Sequence, residues 1–128
     1  MLYMDLLGTL NGANDLNVFA THFLSLINAS KIEERESSNY VDGRYFRGWI
    51  DDISFVVSLA DFDGNEDLPF WIQIRSDASE IDELIFLLEK KILNSTGSAN
   101  FQFARMSNFG TNNEQRFDYQ KQYVGKNI

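Results

Sequence analysis

Two segments in the middle of the chain, residues 53–60 and 70–75, alternate apolar side chains with smaller or more polar ones. A period of two is typical of β-strands, in which successive side chains point to opposite faces. Each segment therefore predicts a strand. One face of the first strand consists of Ile53, Phe55, Val57 and Leu59, and the core face of the second consists of Phe70, Ile72 and Ile74. The links in this part of the chain are of hairpin length, which favours an antiparallel sheet.

Apolar residues at helical spacing occur twice. The first set runs from Asp15 to about Ala29 and predicts a helix, with Asn14 or Asp15 placed to cap its first turn. The second set begins at Asp77, which opens a capping-box pattern, and continues to about Ile92. Both helices need an apolar surface to pack on, so we expect them on the same face of the sheet.

Shorter patterns complete the predicted fold. Further strands are expected at residues 2–7, 39–41, 44–46 and 101–106. Asp42-Gly43 suits a two-residue hairpin turn, Asp51-Asp52 suits a bend, and residues 31–38 form a charged connector. With the short hairpin at residues 39–46 counted once, the order is β-α-β-β-β-α-β, which predicts an α+β domain with a mainly antiparallel sheet and two helices packed on one face. The opposite face is then more polar and available for binding.

The length of 128 residues is close to the commonest domain size and predicts a single domain. We expect that domain at residues 1–106. A polar, Asn- and Gln-rich C-terminal extension follows at residues 107–128, either docked or partly disordered. No basic segment precedes an apolar stretch at the N-terminus, and no window approaches the ~18–20 apolar residues of a membrane span. Since the sequence also has no cysteine, the expected location is cytoplasmic.

A search for catalytic chemistry finds no assembled site. The sequence has one histidine, His22, and neither a nucleophile elbow nor a glycine-rich phosphate loop. The turn from Asp61 to Asp67 has oxygen side chains at alternate positions, as calcium loops do. However, its glycine is misplaced and Ile72 stands where an EF-hand has glutamate. A polar turn is the simpler interpretation, and we expect no enzyme activity, no metal site and no cofactor.

The charge balance constrains the partners. Nineteen acidic residues against eleven basic ones give a net charge of −8, which repels nucleic-acid phosphates and anionic membranes and attracts a basic protein. Nucleic-acid and membrane binding are therefore disfavoured. Arg44 and Arg47, interleaved with Tyr45 and Trp49, form a pattern that can stack on bases. In so acidic a chain, we instead expect both arginines to form ion pairs.

Residues 45–50, 55–60 and 66–72 together form a pattern of strands that ends in Asp-Leu-Pro-Phe-Trp-Ile. Over residues 40–93, the chain resembles the small acidic immunity proteins of bacterial contact-dependent growth inhibition and related polymorphic toxin systems. The resemblance implies a cytoplasmic protein that binds the C-terminal domain of a cognate toxin and neutralises it by covering its active site. Many such toxins are nucleases, and an acidic inhibitor suits their basic surface.

Position in the predicted fold, rather than a family motif, supplies the candidate partner-binding residues. They are the acids of one turn, Asp61, Asp63, Glu66 and Asp67, with Asp51, Asp52 and Trp71 expected nearby. In a simpler interpretation, the acids only solvate turns and Trp71 packs under a helix or the extension. Two other functions remain open. One is a small enzyme or ligand-binding domain with a pocket in the polar sheet face, and the other is an oligomerising structural module.

Overall fold

The strands predicted in the middle of the chain belong to a larger sheet. In a computed structural model, the described residues are 2–11, 15–37, 43–60, 66–77, 90 and 101–118. Their elements are β1 (Leu2–Leu10), α1 (Leu16–Leu26), β2 (Ser30–Glu36), β3 (Arg44–Ile50), β4 (Ile53–Leu59), β5 (Phe70–Ser76), β6 (Phe101–Ser107) and β7 (Gln115–Asp118). The sheet order is β2-β3-β4-β5-β1-β6-β7, and every neighbouring pair is antiparallel. The α+β class and the mainly antiparallel sheet are confirmed.

Strands β3, β4 and β5 are sequential neighbours, whereas β1 is inserted between β5 and β6. The β3–β4 turn has two residues, because Ile50 pairs with Ile53 across it. Asp51 begins this turn with a φ of 50°, a left-handed conformation that Asp tolerates in tight hairpins. The bend predicted at Asp51-Asp52 is therefore confirmed.

Helix α1 matches the first predicted helix. The Asp15 side chain accepts a hydrogen bond from the Val18 backbone N–H at 2.9 Å, which satisfies one of the unpaired donors of the first turn. The helix ends before Asn28, whose φ of 56° is typical of a residue that follows a helix C-terminus. Its buried stripe consists of Leu16, Phe19, Ala20, Phe23 and Leu24, and the buried Ile27 follows directly after the helix.

Phenylalanine rings join α1 to the sheet. Phe19 stacks on Phe70 of β5 with a ring-centroid distance of 4.4 Å. Phe23 meets Phe55 of β4 and Phe103 of β6 edge-on, at 6.2 and 5.8 Å. Aromatic pairs in these geometries stabilise a core by about 0.5–1.5 kcal/mol beyond the area that they bury. The helix is thereby held over strands that are distant in sequence.

Two glycines let α1 approach the strands closely. A Cβ atom added at Gly8 of β1 would lie 2.9 Å from Phe103 Cδ1 and 3.1 Å from Phe19 Cζ. One added at Gly48 of β3 would lie 3.1 Å from the Ala29 Cβ atom. Both glycines thus lie under the helix or the residues just after it, where a side chain would push the two layers apart.

The charged connector predicted at residues 31–38 is wrong, because residues 30–36 form the edge strand β2. This strand pairs with β3, with Glu33 opposite Arg47 and Glu36 opposite Arg44. Nearly all its residues are exposed, so no alternation of apolar residues reveals it. Charged side chains are what a sheet edge carries to prevent pairing with other chains. The strand predicted at residues 39–41 lies outside the described residues.

Within the described part of the chain there is one helix, not the two expected. The second predicted helix, Asp77 to Ile92, falls almost wholly outside the described residues. The predicted C-terminal extension contributes β7, which pairs with β6 from Ser107 opposite Gln115 to Ala104 opposite Asp118. Residues 119–128 lie outside the described part.

We expect Gly8→Ala to lower the free energy of unfolding by about 1–3 kcal/mol, since the added methyl group overpacks the space between Phe19 and Phe103. Urea denaturation measures the change. Val18→Ala, on the exposed side of α1, is the control and should shift stability by no more than about 0.5 kcal/mol. An unchanged urea midpoint for Gly8→Ala would contradict the close approach of helix and sheet.

Candidate functional site: the open face of the sheet

The face of the sheet opposite α1, here called the open face, can be traced by register. Directly paired residues of neighbouring strands point to the same side. One such row crosses all seven strands and consists of Glu33, Arg47, Val56, Gln73, Asp5, Met106 and Arg116. Most of these side chains are polar, whereas the α1 side of the sheet carries the phenylalanine core. This row of the open face is therefore largely polar and charged.

A cavity of about 360 Å³ lies over the central strands of the open face. Its lining residues are Tyr3, Met4, Asp5, Tyr45, Arg47, Ser54, Val56, Trp71, Gln73, Ile74 and Arg75. They come from β1, β3, β4 and β5, so the pairing register of four strands determines the geometry of the cavity. We call this space the open-face cavity.

Asp5 and Trp71 are hydrogen-bonded in the lining of the open-face cavity. The indole Nε1–H of Trp71 donates to Asp5 Oδ1 at 2.9 Å. Burial raises the pKa of the Asp5 carboxyl above its ordinary value of 3.8, and the hydrogen bond from Trp71 acts in the opposite direction. Desolvation is the larger effect, because a charged group loses more in leaving water than one neutral donor returns.

Two arginines of the cavity contact aromatic rings. The guanidinium carbon of Arg47 lies 5.0 Å from the centre of the Trp49 ring. That of Arg75 lies 5.2 Å from the ring of Tyr3, a residue with 64% of its surface exposed. Among the described residues, the buried Nε atom of Arg47 has no hydrogen-bond acceptor. Ring contacts therefore orient both cations without using the donors in the guanidinium plane.

One end of the open face is closed by a small apolar cluster, formed by Leu7, Leu68, Ala104 and Met106. Phe109 packs against it and meets the Trp71 ring edge-on, with ring centroids 5.3 Å apart. Arg116 of β7 donates two hydrogen bonds to the carboxylate of Asp67, at 3.0 and 2.8 Å. This pair ties the last described strand to the segment that precedes β5, and the hydrogen bonds hold the pKa of Asp67 below its ordinary value.

The structure separates the acidic candidate residues into two groups. Asp51 and Asp52 are exposed in the β3–β4 turn, whereas Glu66 and Asp67 are exposed at the opposite end of β4. The expectation that Asp51 and Asp52 lie near Glu66 and Asp67 is therefore wrong. The seven residues of β4 separate the two ends by about 20 Å.

The remaining predictions for single residues concern Asp61, Asp63, Trp71 and the two arginines of β3. Asp61 and Asp63 lie outside the described residues. Trp71 is on the open face and packs against Phe109 of the extension, as the simpler interpretation allowed. Arg44 does form an ion pair, with its Nε atom 3.1 Å from Glu34 Oε2, whereas Arg47 contacts a ring instead.

Sequence reasoning missed Asp5 and Arg75 as residues of a site. Their only signal in the sequence was alternation, since Asp5 and Arg75 occupy non-core positions of strands. That they share a cavity with Arg47 follows from the order of the strands, in which β1 joins β5 and β5 joins β4. Neither spacing nor composition contains this information.

No protein-family model, curated protein or solved structure matches this chain. No described helix combines the length and apolar character needed to cross a bilayer. Over the same described residues, no three metal-ligating side chains of His, Cys, Asp or Glu come together. The geometry of the open face is therefore the main structural basis for a proposal about function.

We expect Asp5→Asn to stabilise the protein by an amount that depends on pH. Because the pKa of Asp5 is higher in the folded state than in the unfolded state, protonation of Asp5 stabilises the folded state. The wild type therefore loses stability relative to the variant as pH rises from about 3.8 through the raised pKa. Asparagine still offers Trp71 an oxygen acceptor, so the hydrogen bond is retained.

Urea denaturation between about pH 3.5 and 7.5 measures this difference. Asp52→Asn removes one exposed carboxylate and corrects for the change in net charge. A stability difference between wild type and Asp5→Asn that stays constant over this range would contradict a desolvated Asp5.

We expect the pair formed by Asp67 and Arg116 to couple β7 weakly to the rest of the sheet. A double-mutant cycle with Asp67→Asn and Arg116→Gln should give a coupling of about 0.5–1 kcal/mol, because the contact is bidentate but largely exposed. The coupling should fall as salt is added. The pair Glu33 and Arg35, exposed on one strand, is the comparison and should couple less. An equal coupling in both pairs would contradict a tie specific to β7.

Proposed function

We propose that this chain is an immunity protein that binds the C-terminal domain of a cognate toxin and neutralises it by covering the toxin's active site. The proposal extends to a basic nuclease as the toxin and to the cytoplasm as the location. In it, the chain itself needs neither a catalytic group nor a cofactor. The observation that carries it is the open face, where the described residues place aromatic and arginine side chains at the centre and acids at the ends.

The centre of the open face has the composition of a protein-binding surface. It presents Trp49, Trp71, Tyr45 and Tyr3 together with Arg47 and Arg75. Tryptophan, tyrosine and arginine are the residues most enriched among those that dominate binding energy in protein interfaces. The ring contacts of the two arginines reduce the conformational entropy that binding would otherwise cost. These features support docking of a protein on this face.

The charges around the open face support a basic partner. Asp51 and Asp52 lie at one end of β4, and Glu66 and Asp67 at the other. All six arginines of the sequence are among the described residues, and each contacts a carboxylate or an aromatic ring. With a net charge of −8, the chain would attract a positive surface and accelerate its association. Asp61 and Asp63 remain part of the proposed binding set.

The competing possibility of an oligomerising module uses the same face and is an outcome of the same experiment. The proposal expects the toxin domain to be encoded beside this chain. The two are co-expressed, and the complex is isolated by affinity purification. Solution mass is measured for the chain alone and with the toxin. A stable complex and rescue of cells that express the toxin are the expected results. Lack of binding and of rescue would overturn the proposal, and a dimer without toxin binding would favour the structural module.

We expect charge and ring substitutions to affect different rate constants. Asp51→Asn with Asp52→Asn should lower the association rate several-fold at low salt and leave dissociation nearly unchanged, because exposed rim charges act through steering. Trp49→Ala should instead accelerate dissociation. Phe117→Ala is the matched control, since Phe117 is an exposed aromatic that contacts Arg105 away from the open-face cavity. Surface plasmon resonance measures both rates, and equal effects of Trp49→Ala and Phe117→Ala would contradict docking on the open face.

A further inference from the structure

The arginines of the chain divide into two groups by their contacts. Arg35, Arg44 and Arg116 form ion pairs with carboxylates. Arg47 and Arg75 contact only aromatic rings among the described residues, although acids outnumber bases nineteen to eleven. Both line the open-face cavity. Two guanidinium groups without a carboxylate partner in one cavity indicate a place where an anion binds.

The ring contacts leave both guanidinium groups able to bind an anion. A ring under a guanidinium occupies one of its flat sides, while the five N–H donors lie in the guanidinium plane. For Arg47, the ring is Trp49 at 5.0 Å, and for Arg75 it is Tyr3 at 5.2 Å. In-plane donors match the two oxygens of a carboxylate or a phosphate, and charge-assisted hydrogen bonds of this kind are the strong ones.

The charge of the cavity favours an anion with one negative charge. Arg47 and Arg75 contribute two positive charges and Asp5 one negative charge, which leaves +1 when Asp5 is ionised. Asp5 is held in the lining by its hydrogen bond from Trp71. A phosphate dianion would lie close to this carboxylate and be repelled by it, whereas a carboxylate balances the remaining charge.

The shape of the cavity indicates the rest of the ligand. A volume of about 360 Å³ lies at the lower end of the range for small-molecule sites. Tyr45, Val56 and Trp71 supply apolar and aromatic walls, which pack well against a flat ring. We propose that the open-face cavity binds a small monocarboxylate with a flat, apolar body, whose carboxylate is held by Arg47 and Arg75. This inference goes beyond toxin neutralisation and does not rest on it.

The test uses the full chain alone with indole-3-acetate as the probe. Indole-3-ethanol, which has the same ring without the carboxylate, and inorganic phosphate are the comparison ligands. Calorimetry measures affinity, and the indole N–H resonance of Trp71, identified with Trp71→Phe, reports binding inside the cavity. We expect saturable binding of indole-3-acetate, at least about ten-fold tighter than that of either comparison ligand.

Substitutions then locate the carboxylate. Arg47→Gln and Arg75→Gln should each weaken binding of indole-3-acetate about ten-fold or more. Arg105→Gln is the matched control, because Arg105 also lies over a ring, that of Phe117, but outside the cavity lining. It should leave affinity unchanged. Thermal midpoints of all three variants show whether each is folded. Arg47→Lys and Arg75→Lys form a second set of cavity variants, in which the charge is kept and the planar donors are lost.

Three results would overturn the inference. They are the absence of saturable binding, an affinity for indole-3-ethanol or phosphate equal to that for indole-3-acetate, and an Arg105→Gln effect as large as that of the cavity variants. Because the experiment contains no toxin, its failure leaves the toxin-binding proposal to be decided by the partner experiment. In the same way, failure of toxin binding would not affect the ligand result.

Discussion

The close contact between α1 and the sheet determines the rest of the structure. Gly8 and Gly48 remove side chains from the strands beneath the helix, and Phe19 and Phe23 fill the space that remains with rings from β4, β5 and β6. Because successive strand residues alternate in direction, fixing this apolar face also fixes the identity of every residue on the other one. The open-face cavity is thus a consequence of core packing, and a shift of one residue in register would exchange the two faces.

The distribution of charge follows from the same arrangement. At one edge of the sheet, β2 is exposed and strongly charged, and two of its three glutamates, Glu33 and Glu34, pair with arginines of the same or the adjacent strand. At the other edge, Arg116 binds Asp67. Charges at the two edges are therefore largely compensated locally, whereas the central strands combine rings, two arginines and a desolvated carboxylate. The residues with distinctive chemistry are therefore concentrated on strands β1, β3, β4 and β5, inside the two edge strands.

Sequence patterns predicted those elements that have one buried side. Alternation identified β4 and β5, apolar character identified most of β1 and β6, and helical spacing with a capping Asp15 identified α1. Alternation failed to identify β2, because both faces of this strand are exposed and its apolar and polar residues do not alternate. For the site, Trp71 was found, but Asp5, Arg47 and Arg75 come together only through strand order. Asp51 was wrongly expected near Asp67, because the sequence alone does not show that the two residues lie at opposite ends of β4.

The position of β1 has a consequence for the order in which the protein can fold. Although β1 precedes the other described strands in the sequence, it lies between β5 and β6, and Leu10 pairs with Phe101. Until the chain has been translated through β6, β1 lacks one of its neighbours and the sheet cannot be completed. Ribosome-bound chains would therefore acquire the full central sheet only after β6 has been translated. Any activity that depends on this sheet requires β6, and chains that terminate before it would lack that activity.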